Sequence, residues 1–83
     1  MGLKVAKPRI TNTIRRLRFD NGEMTQKDLA ERVGVTRQTI VAIEAAKYSP
    51  SLELAFLIAH AFAKPLEEVF TFDAPPNDDP PQT

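Results

Sequence analysis

Gly34 constrains this chain more than any other residue. Upstream of it, Leu29, Ala30 and Val33 recur at helical spacing; downstream, Ile40 and Ile43 do the same. A glycine between two such stripes ends the first helix, because it takes the left-handed backbone at almost no steric cost. Thr25 with Asp28 three residues later forms a capping-box-like pair that opens the upstream helix, and Thr36 caps the downstream one. Gln26 to Ala45 therefore reads as two short helices meeting at a tight turn. Ala30 is small where the second helix must come close, and Val35 plugs the turn.

The remaining segments supply helices to pack against this pair. A first helix is expected from Thr11 or Asn12, either a good N-cap, to Asp20, with Ile14 and Leu17 on its apolar side and Asn21-Gly22 breaking it. Ser51 caps a fourth helix, on which Leu52, Ala55, Ile58, Ala59 and Phe62 form one stripe. Pro65 suits the first position of a short fifth helix carrying Leu66, Val69 and Phe70, with Glu67 and Glu68 favourable near its N-terminal dipole. The sequence thus predicts five helices and no strands of consequence between Ile10 and Phe72. It also predicts a flexible basic arm over residues 1–9 and a disordered, acidic, proline-rich tail over residues 73–83.

Composition excludes several classes of function. The 83 residues allow one domain with a modest core. There is no cysteine and a single histidine, His60, so neither a disulfide framework nor a metal cluster is expected. No apolar run approaches the roughly 18 residues of a membrane span, and no secretory h-region follows the N-terminus, so the expectation is a cytoplasmic protein. The paired acids Glu67-Glu68 and Asp78-Asp79 are sequence neighbours rather than groups facing each other across a cleft, and the glycines are scattered at 2, 22 and 34. An enzyme is not expected, nor is a cofactor.

Formal net charge is zero, but its distribution is uneven. Residues 1–18 carry Lys4, Lys7, Arg9, Arg15, Arg16 and Arg18 and no acid; after Lys64 there are five acids and no base. Residues 1–64 alone hold eleven basic against six acidic groups, a balance that permits nucleic-acid binding. The opening turn of the third helix gives no residue to the core: Arg37, Gln38 and Thr39 point outward or sideways. Long, forked hydrogen-bonding side chains at that end are what a helix entering a DNA major groove needs.

The stretch TQKDLAERVGVTRQTIVAIEAAKYSPSLELAFLIAHAF resembles the Cro/phage-repressor type of helix-turn-helix, the xenobiotic-response-element family, and its short stand-alone bacterial regulators in particular. The resemblance covers about Ile14 to Phe72. It implies an all-α, compact five-helix, lambda-repressor-like DNA-binding domain with the helix-turn-helix at its second and third helices, built on Ala30, Gly34, Ile40 and Ile43. It implies that Arg37 and Gln38 read bases, with Ala42 and Val41 as apolar candidates one turn on. It assigns phosphate contact or positioning to Gln26, Thr36, Thr39, Lys47, Tyr48 and Arg18, and pairs Arg18 with Glu44. Double-stranded DNA is the expected partner, bound at a palindromic site by a homodimer acting as a repressor. The apolar excess at Leu66, Val69, Phe70 and Phe72 is the expected subunit contact. An antitoxin or adaptor that uses the same apolar surface to bind a protein partner is the alternative.

Three departures from the family pattern bear on loop geometry. The turn from Asn21 to Met24 is about one residue longer than the commonest turn between the first and second helices. Ala46 stands where a glycine usually ends the third helix, and Ala63-Lys64-Pro65 lacks the usual glycine between the fourth and fifth. An alanine in the left-handed region is strained, so the third helix is expected to end differently or run on.

Overall fold

A computed structural model describes residues 9–73. The expected arm and tail lie outside the described residues except for Arg9 and Asp73. Strand β1 (Ile10–Asn12) is followed by helices α1 (Ile14–Asp20), α2 (Gln26–Val33), α3 (Arg37–Glu44), α4 (Leu52–Ala61) and α5 (Leu66–Val69), and then by strand β2 (Phe70–Phe72). The five helices are as expected; the strands are not. β1 and β2 pair antiparallel with Ile10 opposite Phe72, Thr11 opposite Thr71 and Asn12 opposite Phe70, and Asp73 N–H donates to the Arg9 carbonyl.

This ladder moves the start of α1. Thr11 and Asn12 belong to β1, and the helix begins at Ile14. Asn12 still acts as a local cap, because its Oδ1 accepts the Ile14 N–H at 3.1 Å. Thr13 binds forward instead, its N–H reaching the Val69 carbonyl and its hydroxyl the Glu68 carbonyl.

Side chains from all five helices meet in one core. Ile14, Leu29, Ile40, Ile43, Ile58 and Val69 are wholly enclosed, and Leu17, Met24, Ala30, Val33, Ala59 and Phe62 complete the cluster. Burying each large aliphatic side chain contributes about 1.5–3 kcal/mol relative to exposure. α2 packs against both α3 and α4, so it carries the centre of the domain. Val69 lies inside this cluster with no exposed surface, which removes it from the expected subunit contact. Leu52, expected inside, is 69 % exposed. The reason is the composition of α4: it is apolar around most of its circumference, so helical spacing did not single out its inner face, which is Ala55, Ile58 and Ala59.

Three helices close on left-handed residues. Gly34 has φ of 80°, and its N–H and that of Val35 both reach the Ala30 carbonyl. Ala46 has φ of 60°, with Lys47 N–H on the Ala42 carbonyl and Ala46 N–H on that of Ile43. Ala63 repeats the arrangement at φ of 55°, with Lys64 on Ala59 and Ala63 on His60. The paired bonds satisfy carbonyls that the helix leaves open, which offsets about 1–2 kcal/mol of left-handed strain at each alanine. α3 therefore stops at Glu44 in the ordinary way and does not run on. Pro65 precedes α5 as its N-cap rather than forming its first turn. The long turn after α1 bulges into solvent at Asn21, Gly22 and Glu23, and returns through buried Met24.

Candidate nucleic-acid interface

The start of α3 is presented by local chemistry on both sides of it. The capping box is complete: Thr25 Oγ1 accepts from Asp28 N–H at 2.9 Å, and Asp28 Oδ2 accepts from Thr25 N–H at 3.2 Å. These bonds hold the Asp28 carboxyl below its ordinary pKa, the backbone N–H of Thr25 contributing most. At the other side of the turn, Thr36 Oγ1 accepts the Thr39 N–H at 3.2 Å and lies 3.0 Å from the Thr39 hydroxyl. Ile40 and Ile43 then face inward against Ala30, 1 % exposed, which lets the two helices approach.

The outward side carries the expected readers. Thr36, Arg37, Gln38 and Val41 are exposed, and Thr39 and Ala42 half-exposed. No hydrogen bond or ion pair within the described residues occupies the Arg37 or Gln38 side chain. Lys47 and Tyr48 are exposed in the loop after α3.

Arg18, Gln26 and Glu44 form a network behind this surface. Arg18 Nε donates to Glu44 Oε2 at 2.6 Å and Nη2 to Oε1 at 3.1 Å, a two-point pairing of guanidinium and carboxylate. Arg18 Nη1 donates to the Met24 carbonyl at 2.9 Å, and Gln26 Nε2 to Glu44 Oε1 at 3.2 Å. Asn12 Nδ2 adds a bond to the Ile43 carbonyl at 2.9 Å. β1, α1 and α2 thus all hold the C-terminal end of α3. The pairing of Arg18 with Glu44 is present, and it directs all three guanidinium nitrogens of Arg18 into the protein. Gln26 braces Glu44 at the end of α3.

An open groove of about 1050 Å³ runs between α1 and the opening turns of α2 and α3. Arg15, Arg16, Lys27 and Arg37 line it, with Phe19, 68 % exposed, among them. Sequence reasoning counted Arg15 and Arg16 as charge alone and left Phe19 between lining the core and touching a partner. The available signal was the spacing of Arg15 and Phe19, four apart on one face of a helix whose other face is Ile14 and Leu17. Such a groove suits a phosphate backbone that passes the start of α3. No cluster of histidine, cysteine or acidic residues able to hold a metal occurs among the described residues. No helix there is long and apolar enough to cross a membrane.

A domain of five short helices, with a capped turn between the second and third and an exposed polar edge on the third, defines the helix-turn-helix class. The helix-turn-helix family profile matches residues 14–69. An uncharacterized helix-turn-helix-type transcriptional regulator of Methanocaldococcus jannaschii is 54 % identical over 50 residues, 60 % of this chain and 76 % of that one. One from Archaeoglobus fulgidus is 52 % identical over 60 residues, 72 % and 84 % of the two chains. The regulator YgzD of Bacillus subtilis, also uncharacterized, is 49 % identical over 59 residues, 71 % and 88 %. The crystal structure of a candidate DNA-binding protein from Bacteroides fragilis superposes with a TM-score of 0.65 at 22 % identity, over 75 % of this chain and 98 % of that one, a likeness of fold. The chain belongs to the helix-turn-helix family of the Cro/repressor, xenobiotic-response-element type. That family is not enzymatic.

Proposed function

We propose that this protein is a sequence-specific, double-stranded-DNA-binding transcriptional regulator that acts in the cytoplasm. It binds a palindromic operator as a homodimer and represses by occluding a promoter. The observation that carries this reading is the pair Arg37 and Gln38, exposed and without a side-chain partner among the described residues, at the start of a helix whose far end is fixed by Arg18, Gln26 and Asn12. A reader must be rigid at its base and unoccupied at its tip. Arg37 is suited to guanine O6 and N7, Gln38 to adenine N6 and N7, and Ala42 with Val41 to a thymine methyl. Thr36, Thr39, Lys47 and Tyr48, with the basic groove of Arg15, Arg16 and Lys27, hold phosphates on either side. The subunits pair through the apolar surface of the C-terminal half, to which Leu66 contributes. Two copies of α3 then reach successive major grooves about 34 Å apart.

Selection from a random duplex pool tests this reading. A palindromic motif whose binding falls steeply with salt is the expected outcome; an unenriched pool overturns it. The adaptor reading is favoured by one observation, the exposed Leu52, Phe56 and Leu57 on α4. An unenriched pool together with a stable monomer would leave the adaptor reading in its place.

A further inference from the structure

The outer face of α4 has no partner within the domain. Leu52, Phe56 and Leu57 are 69 %, 53 % and 41 % exposed, together on the order of 300 Å² of apolar surface on one helix, the size of the largest apolar patch a monomer commonly exposes, which is often functional. Beside them a shallow groove of about 470 Å³ runs between α4 and α5, with Phe56 and Leu57 on one wall and Pro65 and Leu66 on the other. Glu53 and His60 also line it, seven residues apart and so about 10.5 Å along the helix.

We infer that a second copy of this chain occupies this face, α4 against α4 in antiparallel, with the two-fold axis between Phe56 and Leu57. The inference rests on the homodimer reading and places its interface. An antiparallel pair about that axis sets residue Glu53 against His60 of the copy at both ends, and Phe56 against Leu57 in the middle. The carboxylate meets an imidazole N–H twice, and each Phe56 ring enters the other copy's groove beside Leu66. A parallel pairing would set Glu53 against Glu53, so the polar groups select the antiparallel one. A two-fold contact needs a patch complementary to itself, and the order acid, two large apolar residues, imidazole meets that condition. Of the residues expected at the subunit contact, Leu66 belongs to this surface, and Phe72 lies on β2, outside the groove.

Sedimentation of the full chain, with and without its selected operator, tests the placement. The expected result is a dimer that Phe56→Glu converts to a monomer and that Phe72→Glu leaves intact. Both positions are exposed, and circular dichroism confirms that each variant is folded. Glu53→Lys and His60→Glu are each expected to weaken the dimer at least tenfold, and the double variant to recover most of that loss by restoring opposite partners. A dimer that survives Phe56→Glu, or that only Phe72→Glu dissolves, overturns the placement while leaving the homodimer standing. A wild-type monomer both free and on DNA overturns the homodimer itself.

Discussion

Helices α3 and α4 each turn one face to the core, yet they are held and finished in opposite ways. α3 buries only Ile40 and Ile43 and is tied at its end by polar groups from β1, α1 and α2. α4 buries Ala55, Ile58 and Ala59, its one side-chain hydrogen bond among the described residues being the Ser51 cap. Outside, α3 offers Arg37 and Gln38, whereas α4 offers Leu52, Phe56 and Leu57. On the proposed function, the difference separates two tasks. A helix that reads must keep its orientation while its polar tip stays unengaged, and directional hydrogen bonds at its base supply that. A helix that only fills space needs volume on the inside, and its outside is available to a subunit.

The contrast can be broken first at the core. Ile58→Ala should lower stability by about 2–5 kcal/mol, measured by urea unfolding, while the enriched DNA motif stays the same. Glu44→Ala should cost about 2–3 kcal/mol, because it leaves the Arg18 guanidinium, 15 % exposed, without its carboxylate. Unlike the first variant it should also weaken operator binding beyond what unfolding explains, as measured by titration well below the melting temperature. Arg37→Ala should relax preference at one base position by about 1–3 kcal/mol and leave the unfolding midpoint unchanged.

Smaller effects sharpen the picture at the helix ends. Ala46→Gly should stabilise by about 0.5–1 kcal/mol, since relief of left-handed strain exceeds the entropy that glycine adds to the unfolded chain. Thermal unfolding measures it. The smallest effect belongs to the cap of α2, the neighbour that α3 and α4 share. Asp28 is held below its unfolded carboxyl value near 3.8. Its contribution to stability is therefore present above that value and lost as pH falls through the lower folded one. Asp28→Asn should make stability less sensitive to acid across that window, as followed by urea unfolding at several pH values.

The helix boundaries near the turn were legible because their chemistry is local. Thr25 with Asp28, Gly34, Thr36 and Ser51 each act within four residues of themselves. The ladder was not legible: Ile10–Asn12 and Phe70–Phe72 become strands only because the five helices between them bring them together, and neither is long enough to show an alternating pattern. Asn12 shows both cases at once. Its cap of Ile14 could be read from its type, whereas its bond to the Ile43 carbonyl could not. The outer face of α4 was hidden by its own uniformity, since Leu52 and Ile58 look alike in sequence and differ only in what lies opposite. The expectation that Ala46 would disturb the end of α3 failed because the two bonds that close the turn are backbone bonds, which alanine makes as well as glycine does.

The antiparallel ladder also bears on the order in which the domain is completed. During synthesis β1 is made first and its partner last, so the chain carries an unpaired edge until Phe72 has been added. Asn12 and Thr13 sit at the same junction, bonded to Ile43 and to the carbonyls of Glu68 and Val69. The helical pair around Gly34 can form early from local signals. The fixed aim of α3 cannot, because one of its tethers lies on a strand that waits for the last residues of the domain.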